Sequence, residues 1–196
     1  YSPDPGYKMI LDLRGGPGFD PQNPPYLVVW LENQSFYHIK TLFVTDSNES
    51  RKQLPFWAFK RKGWEEAKQE AEAQDLALEE TLDAVSGATK NGSFDPADYI
   101  LPTDQNESMP YRVLFEVNQP NDPSSKTEDQ PSLVYEVEVD NYDPRTFQLL
   151  ELIGFPEVEE IEEKVEWSLR YADERIESAF DLVDSALLHI ERQVEK

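Results

Sequence analysis

Short runs of apolar and β-branched residues, separated by turns rich in Pro, Gly and Asn, predict a chain built mainly from β-strands. The runs with this pattern are Tyr7–Leu13, Tyr26–Glu32, Phe36–Thr45, Tyr111–Val117, Leu133–Val139 and Thr146–Ile153. The second and third runs are separated only by residues 33–35, and we therefore expect an antiparallel pair there. Because the strands do not alternate regularly with helices, the pattern favours an antiparallel β-sandwich over a doubly wound parallel sheet.

Two segments have helical character. Gly63–Thr81 is rich in Glu, Ala, Gln and Lys and contains no Pro, but its apolar stripe is weak. This segment predicts a partly exposed helix that is inserted between strands.

The segment Glu157–Lys196 contains no Gly or Pro, and acidic residues crowd its start, as a helix dipole favours. Apolar residues recur every seven positions in two columns, one formed by Leu169, Ile176, Val183 and Ile190 and the other by Val165, Ala172, Ala179 and Ala186. This spacing predicts an amphipathic, coiled-coil-like helix of roughly 40 residues, about 60 Å long.

These elements predict two domains: a β-sandwich over residues 1–155 and a C-terminal assembly helix over 156–196. Such a helix is longer than a small sandwich can cover, so we expect it to pack on a partner chain or a second copy. Packing back along its own domain remains the alternative.

Composition narrows the class of partner. The chain has 196 residues, of which 38% are hydrophobic, enough for a real core. Its formal net charge of −22 repels the phosphates of nucleic acids and anionic lipids, so we expect no nucleic-acid partner. A negative surface that serves solubility alone explains the charge equally well.

Several kinds of chemistry are excluded or weakly supported. The chain contains no cysteine, which excludes disulfides, thiolate catalysis and iron–sulfur clusters. Only His38 and His189 are present, so neither a histidine metal site nor a Ser-His-Asp triad is supported. A catalytic pair cannot be chosen from 40 acidic residues by sequence. The acidic groups Asp104 to Glu107 and Asp140 with Asp143 could bind calcium, but they match no calcium-loop pattern and are better interpreted as solvated loops.

One segment carries a specific chemical signal. Residues 83–89 read Asp-Ala-Val-Ser-Gly-Ala-Thr and fit the pattern Asp-x-x-(Ser/Thr)-Gly-Ala-Thr. This pattern resembles the acceptor signature onto which a flavin transferase esterifies FMN, at the hydroxyl of the last Thr. The acceptor residues are then Asp83, Ser86, Gly87, Ala88 and Thr89. The alternative interpretation is an ordinary Gly-centred turn.

The residue types suit the transfer reaction. Thr89 supplies the nucleophilic oxygen, and the small Gly87 and Ala88 let the backbone approach another enzyme's site closely. Ser86 can hydrogen-bond the phosphate or hold the turn, and Asp83 can order the loop or position a metal during transfer. Lys90 can pair with the phosphate after attachment.

A second resemblance covers most of residues 7–153. PYLVVWLE, FYHIKTLFV, LPFWAF with Trp64, DAVSGATK and YRVLFEV occur in an order similar to the family known as Domain of Unknown Function 2271, predicted periplasmic proteins. The resemblance implies an immunoglobulin-like sandwich outside the cytoplasm and an association with membrane redox proteins and covalent flavin. The chain departs from the family at Asp95–Pro110 and in its C-terminal segment.

A bound flavin would need aromatic neighbours. Phe56, Trp57, Trp64 and Tyr99 are candidates for stacking on its ring system. For any one of them, packing in the core is the more frequent role.

The sequence therefore predicts a mainly β, immunoglobulin-like antiparallel β-sandwich with an inserted helix and a long C-terminal α-helix. We expect an electron carrier, rather than a stand-alone enzyme, with FMN on Thr89. We assign no catalytic residue and no metal site. Its expected partners are a flavin transferase and a membrane or periplasmic redox protein. No apolar run reaches the ~20 residues of a membrane span, and we expect a bacterial periplasmic or extracellular protein whose leader has been removed.

Two alternatives come from other functional classes. One is a non-redox structural or binding subunit of a larger complex. The other is an extracellular adhesion module that depends on calcium or bears glycans.

Overall fold

The computed structural model describes residues 7–34, 36–45, 50–73, 110–120, 131–140, 143, 145–161, 164–171 and 177–192. Within these ranges the chain forms nine strands, one long helix and two single-turn helices. The strands are β1 (Tyr7–Gly15), β2 (Tyr26–Asn33), β3 (His38–Val44), β4 (Tyr111–Asn118), β5 (Leu133–Val139), β6 (Phe147–Leu149), β7 (Glu151–Ile161), β8 (Lys164–Arg170) and β9 (Val183–Arg192). The helices are α1 (Ser50–Gln53), α2 (Pro55–Ala73) and α3 (Glu177–Phe180).

Six strands form the larger sheet, in the order β3-β2-β4-β5-β7-β8, and every neighbouring pair is antiparallel. The predicted pairing of the second and third apolar runs is confirmed, with Val28 opposite Val44 and Glu32 opposite His38. Strands β2 and β4 lie inside the sheet and are covered on both faces, which explains why the sequence of β2 is almost continuously apolar.

The smaller sheet has the order β1-β9-β6 and is also antiparallel. It joins the two ends of the described chain, because Tyr7 pairs with Arg192 and the ladder continues to Gly15. Alternate residues of β9 point inward: Ala186, Leu188 and Ile190 are buried.

The molecule has three layers. The main core lies between the two sheets, where Leu31, Phe115 and Leu133 of the larger sheet meet Leu188 and Ile190 of the smaller one. The opposite face of the larger sheet packs against the start of α2, and a second core there is formed by Val28, Trp30, Leu54, Phe56, Trp57, Leu114 and Val134.

The predicted last strand, Thr146–Ile153, is two strands in different sheets. β6 pairs with β9 in the smaller sheet, whereas β7 pairs with β5 and β8 in the larger one. Between them the N–H of the buried Leu150 donates to the carbonyl of Ala186 at 2.9 Å. The run therefore crosses from one sheet to the other, and it contains no Gly, Pro or Asn that would indicate a turn in the sequence.

The predicted long C-terminal helix is wrong. Residues 151–161 and 164–170 form the hairpin β7–β8, and residues 183–192 form β9. Of the seven-residue column, Leu169 lies in β8, Val183 and Ile190 lie in β9, and Ile176 lies outside the described residues. The assembly surface and the coiled coil that depended on this helix have no structural basis.

The physical reason is pairing between distant segments. In the stretch from 164 to 170, Lys-Val-Glu-Trp-Ser-Leu-Arg, polar and apolar residues alternate strictly, although Val165 and Leu169 also belong to the seven-residue columns. Absence of Gly and Pro permits both a helix and a strand. Tertiary contacts decide between helix and strand. For the last part of the segment, β9 pairs with β1 on one side and β6 on the other, and it buries three apolar side chains there.

At a coarser level the fold prediction holds: the chain is β-rich with two antiparallel sheets. The sequence placed a domain boundary at residue 155, but β7 runs through that position without interruption. The inserted helix exists, although it begins at Pro55 rather than Gly63 and its described part ends at Ala73. Residues 74–81 of the predicted helix lie outside the described residues.

Gly154 is the position where β7 leaves β5 and continues only with β8. Its φ of 144° favours glycine, and a Cβ there would lie 2.2 Å from the carbonyl oxygen of Arg170.

We expect Gly154→Ala to lower the free energy of unfolding by at least about 2 kcal/mol, because the backbone strain and the clash with Arg170 add. Urea unfolding followed by circular dichroism measures this change.

Gly63→Ala is the matched control. Gly63 lies inside α2, and a Cβ there meets no described atom within 4 Å. Alanine is the better helix former, so this variant should gain about 0.5–1 kcal/mol. Equal stability of the two variants would contradict the assigned geometry of Gly154.

Candidate functional site

The five predicted acceptor residues, Asp83, Ser86, Gly87, Ala88 and Thr89, lie outside the described residues. The chain is described up to Ala73, where the described part of α2 ends, and again from Pro110, which precedes β4. Flavin attachment therefore stays a prediction from sequence.

Two of the aromatic candidates for flavin stacking are core residues. Phe56 is 8% exposed and Trp57 is 1% exposed, and both pack between α2 and the larger sheet. The indole N–H of Trp57 donates to the hydroxyl of Thr41 at 2.9 Å. Their faces are occupied by the protein itself, so neither is free to stack on a flavin. Tyr99 and the side chain of Trp64 lie outside the described residues.

A fully buried carboxylate holds the start of α2. Because Leu54 precedes the helix and Pro55 begins it, no side chain of the usual capping type is available there. Glu116, in the middle of β4, takes that role from across the interface. Its carboxylate accepts hydrogen bonds from the backbone N–H groups of Phe56, at 3.2 Å, and Trp57, at 2.9 Å.

The Ser132 hydroxyl also donates to the Glu116 carboxylate, at 2.5 Å. Burial raises the pKa of Glu116 to about 7, against the opposing effect of these three donors, which favour the ionised form. The positive end of the helix dipole favours negative charge at this position as well.

A second fully buried carboxylate, Glu32, lies on the same face of the sheet. It accepts the indole N–H of Trp30 at 2.9 Å and the guanidinium of Arg112 at 3.1 Å, and the ammonium of Lys60 lies 3.4 Å away. Burial raises the pKa of Glu32, and the two cations oppose this rise. The guanidinium of Arg112 also pairs with Glu136 on β5.

Phe36 lies over these cations. It has a φ of 66° and is 57% exposed, and its ring centroid is 4.5 Å from the Arg112 guanidinium carbon. Lys60 donates to the carbonyl of Phe36 and lies 5.9 Å from its ring. Phe36 thus holds a left-handed backbone conformation, fixed by contacts with the helix and the sheet.

The two buried carboxylates do not form a catalytic pair. In the β2–β4 register, Glu32 lies opposite Arg112 and Val28 opposite Glu116, which separates the two carboxylates by four strand positions, about 13 Å. Each is occupied by donors from the protein. Both glutamates bind groups of α2, and their role is therefore to hold the helix on the sheet.

Sequence reasoning did not identify either glutamate, and a signal for one of them was present. In Tyr-Arg-Val-Leu-Phe-Glu-Val, alternation places Glu116 on the same face as Leu114, so an apolar covering layer on that face would bury it. Glu32 ends an apolar run and looks exposed in sequence. Only the packing of α2 shows that both are enclosed.

Metal and membrane sites find no support within the described part of the chain. No group of three or more His, Asp or Glu residues there could hold a metal ion. Asp143, a calcium candidate, instead accepts the backbone and side-chain N–H groups of Arg145. None of the described helices combines the length and apolar character needed to span a membrane.

No family model, curated protein or solved structure matches this chain.

The raised pKa of Glu116 predicts a pH-dependent stability. The folded state holds a proton up to a pH of about 7, whereas the unfolded carboxyl releases it near 4.5. The stabilisation that protonated Glu116 contributes to the folded state is therefore fully present below pH 4.5 and is lost as the pH rises to about 7. We expect Glu116→Gln to remove this pH dependence of the free energy of unfolding, which amounts to on the order of 3 kcal/mol between those two pH values. Urea unfolding from pH 4 to pH 8 measures it, as the difference between wild type and variant.

Glu151→Gln is the control, because Glu151 is an exposed carboxylate on β7, which β5 separates from β4 in the larger sheet. This variant measures what the loss of one exposed carboxylate does by itself to the stability of the protein. A Glu116→Gln curve parallel to the wild type would show that Glu116 does not titrate with folding.

Proposed function

We propose that this protein carries FMN on Thr89, through a phosphoester, and passes electrons between redox partners outside the cytoplasm. The observation that supports the proposal is the motif from Asp83 to Thr89, which provides every residue type that the acceptor signature requires. The resemblance of residues 7–153 to a family of predicted periplasmic proteins points in the same direction.

The maturation step needs a transferase and FAD. The Thr89 hydroxyl oxygen attacks the FMN-side phosphorus of the FAD diphosphate, forming the new phosphoester while the P–O–P bond breaks. AMP, which contains the other phosphate of the diphosphate, is the leaving group, and a base on the transferase takes the hydroxyl proton. The bound FMN supplies the redox chemistry, and the protein supplies the tether and the orientation.

The described helix before the motif agrees with a tethering role. The start of α2 is buried through Phe56 and Trp57, whereas Lys62, Glu65 and Glu66 further along are exposed. Over its 19 residues α2 rises about 28 Å from the end that Glu116 holds. The chain thus leaves the core along α2 before it reaches the motif.

The electron-transfer partner is proposed from chemistry alone. A surface with a net charge of −22 favours a redox partner with a basic docking face and disfavours nucleic acid. Such a partner could be another periplasmic protein or the exposed part of a membrane protein.

A non-redox binding subunit is the second candidate. The observation that favours it is the exposed apolar pair Phe147 and Leu149, which are 57% and 61% exposed on the edge strand β6. They line a cleft of about 530 Å³ together with Glu136 and Arg145. In this alternative the motif is a turn and the cleft holds a partner.

Flavin attachment is tested by co-expression with a bacterial flavin transferase that esterifies FMN to threonine. We expect the intact mass to increase by FMN less water, and the yellow absorption to remain with the protein after denaturation. Thr89→Ala should gain no mass, because the attacking oxygen is gone.

Ser93→Ala is the matched control, because it removes a hydroxyl four residues beyond the motif and should leave the mass gain unchanged. Wild-type protein that stays colourless, or a Thr89→Ala variant that still gains the flavin mass, would overturn the proposal. A protein isolated from its native host without flavin would favour the binding-subunit alternative.

A further inference from the structure

The two sheets do not meet closely along one side of the sandwich. A cleft of about 380 Å³ separates the edge strands β1 and β3 there, and its lining also includes side chains from β2, β4 and β9. Every described residue that lines it is apolar. Val113 and Leu188 form its buried floor, and Phe43, which is 51% exposed, marks its mouth.

The side chains that line this cleft cannot hold an ordered water. An ordered water needs two to four polar partners, and the described lining side chains are all apolar. The volume equals about a dozen water molecules at their share of the liquid, and it falls in the range of small-molecule pockets.

Neither wall can easily collapse to fill the space. β1 pairs with β9 along its whole length, from Tyr7 to Gly15, and β2 pairs with β4 over all eight of its positions. If β1 or β2 moved inward alone, its ladder would break and its N–H and C=O groups would lose their partners. The gap between the sheets is therefore part of the fold.

We propose that this cleft binds an unbranched aliphatic chain of medium length, inserted between the sheets with its polar end at the mouth beside Phe43. The lining offers dispersion contacts from five strands and requires no hydrogen bond from the ligand. Met9, an unbranched and adaptable side chain, lies on the wall and can adjust to the chain. A neutral polar end suits a protein with a net charge of −22 better than a carboxylate does.

The site is independent of the flavin proposal. The pyrimidine part of a flavin ring needs hydrogen-bond partners, and the apolar side chains of this cleft provide none. Loss of flavin attachment at Thr89 would therefore leave aliphatic binding intact, and the reverse is also true.

The test uses the full chain with N-phenyl-1-naphthylamine, a neutral fluorophore that brightens in apolar sites, and 1-dodecanol as competitor. We expect saturable probe binding, complete displacement by 1-dodecanol, and a rise in the melting temperature of the protein with 1-dodecanol, because only the folded state has the cleft.

Two neighbouring residues of β1 provide a matched pair of variants. Leu11 lines the cleft, and Ile10 faces the other way, since it pairs with His189 on the outer face of the smaller sheet. Leu11→Trp fills the cleft and should weaken probe binding at least about tenfold. Ile10→Trp should bind like the wild type. Circular dichroism verifies that each variant folds, and Leu42→Phe replaces Leu11→Trp if the latter does not.

Three results would overturn the proposal. The first is no saturable binding to the folded wild type. The second is an equal loss of binding in Leu11→Trp and Ile10→Trp, which would place the probe elsewhere. The third is a sedimentation mass of two chains, with probe binding that falls as protein concentration rises, which would show a second copy covering the cleft.

Discussion

The carboxylate of Glu116 is the interaction on which the three-layer arrangement depends. The start of α2 is buried, and its N–H groups must be satisfied there, but Leu54 and Pro55 offer nothing. A strand in the middle of the sheet provides the acceptor instead. Burial makes the ionised form costly, which raises the pKa of Glu116, and the three donors and the helix dipole offset part of that cost. Removing the carboxylate would leave the helix N-terminus without an acceptor in an apolar layer.

The two faces of the larger sheet consequently differ in character. The face toward α2 is held by directional contacts: Glu116 at the start of the helix, and Glu32 with Lys60 and Arg112 one turn further along. The face toward the smaller sheet is held by apolar packing, which is not directional. A gap can persist on the second face, because a single strand of either sheet cannot move inward without losing its ladder. It could not persist beside Glu32, where an open space would admit water to a buried ion pair.

The functional proposal and the structure concern different parts of the chain. The flavin proposal rests on residues 83–89, whose chemistry is visible in the sequence. The structure limits what surrounds such a cofactor, because Phe56 and Trp57 are core residues and the described C-terminal residues form the strands β8 and β9 rather than the expected coiled-coil helix. What the described residues offer to other molecules is an apolar cleft on one side and an exposed apolar pair, Phe147 and Leu149, on the edge strand β6.

The amino-acid sequence by itself determined β2, which is almost continuously apolar, and β4 and β5, which alternate, because each of them stays apolar on at least one face whatever covers it. It also determined the candidate acceptor, since that is a matter of residue types and spacing. Tertiary structure alone decided the rest. The C-terminal segment has apolar positions that fit both a helix and a strand. Pairing with β1 and β6 in the smaller sheet selects the strand β9. Glu32 resembles any of the 40 acidic residues, and the alternation of β4 places Glu116 on the same face as Leu114 without showing that α2 covers that face. Burial depends on contacts between distant segments.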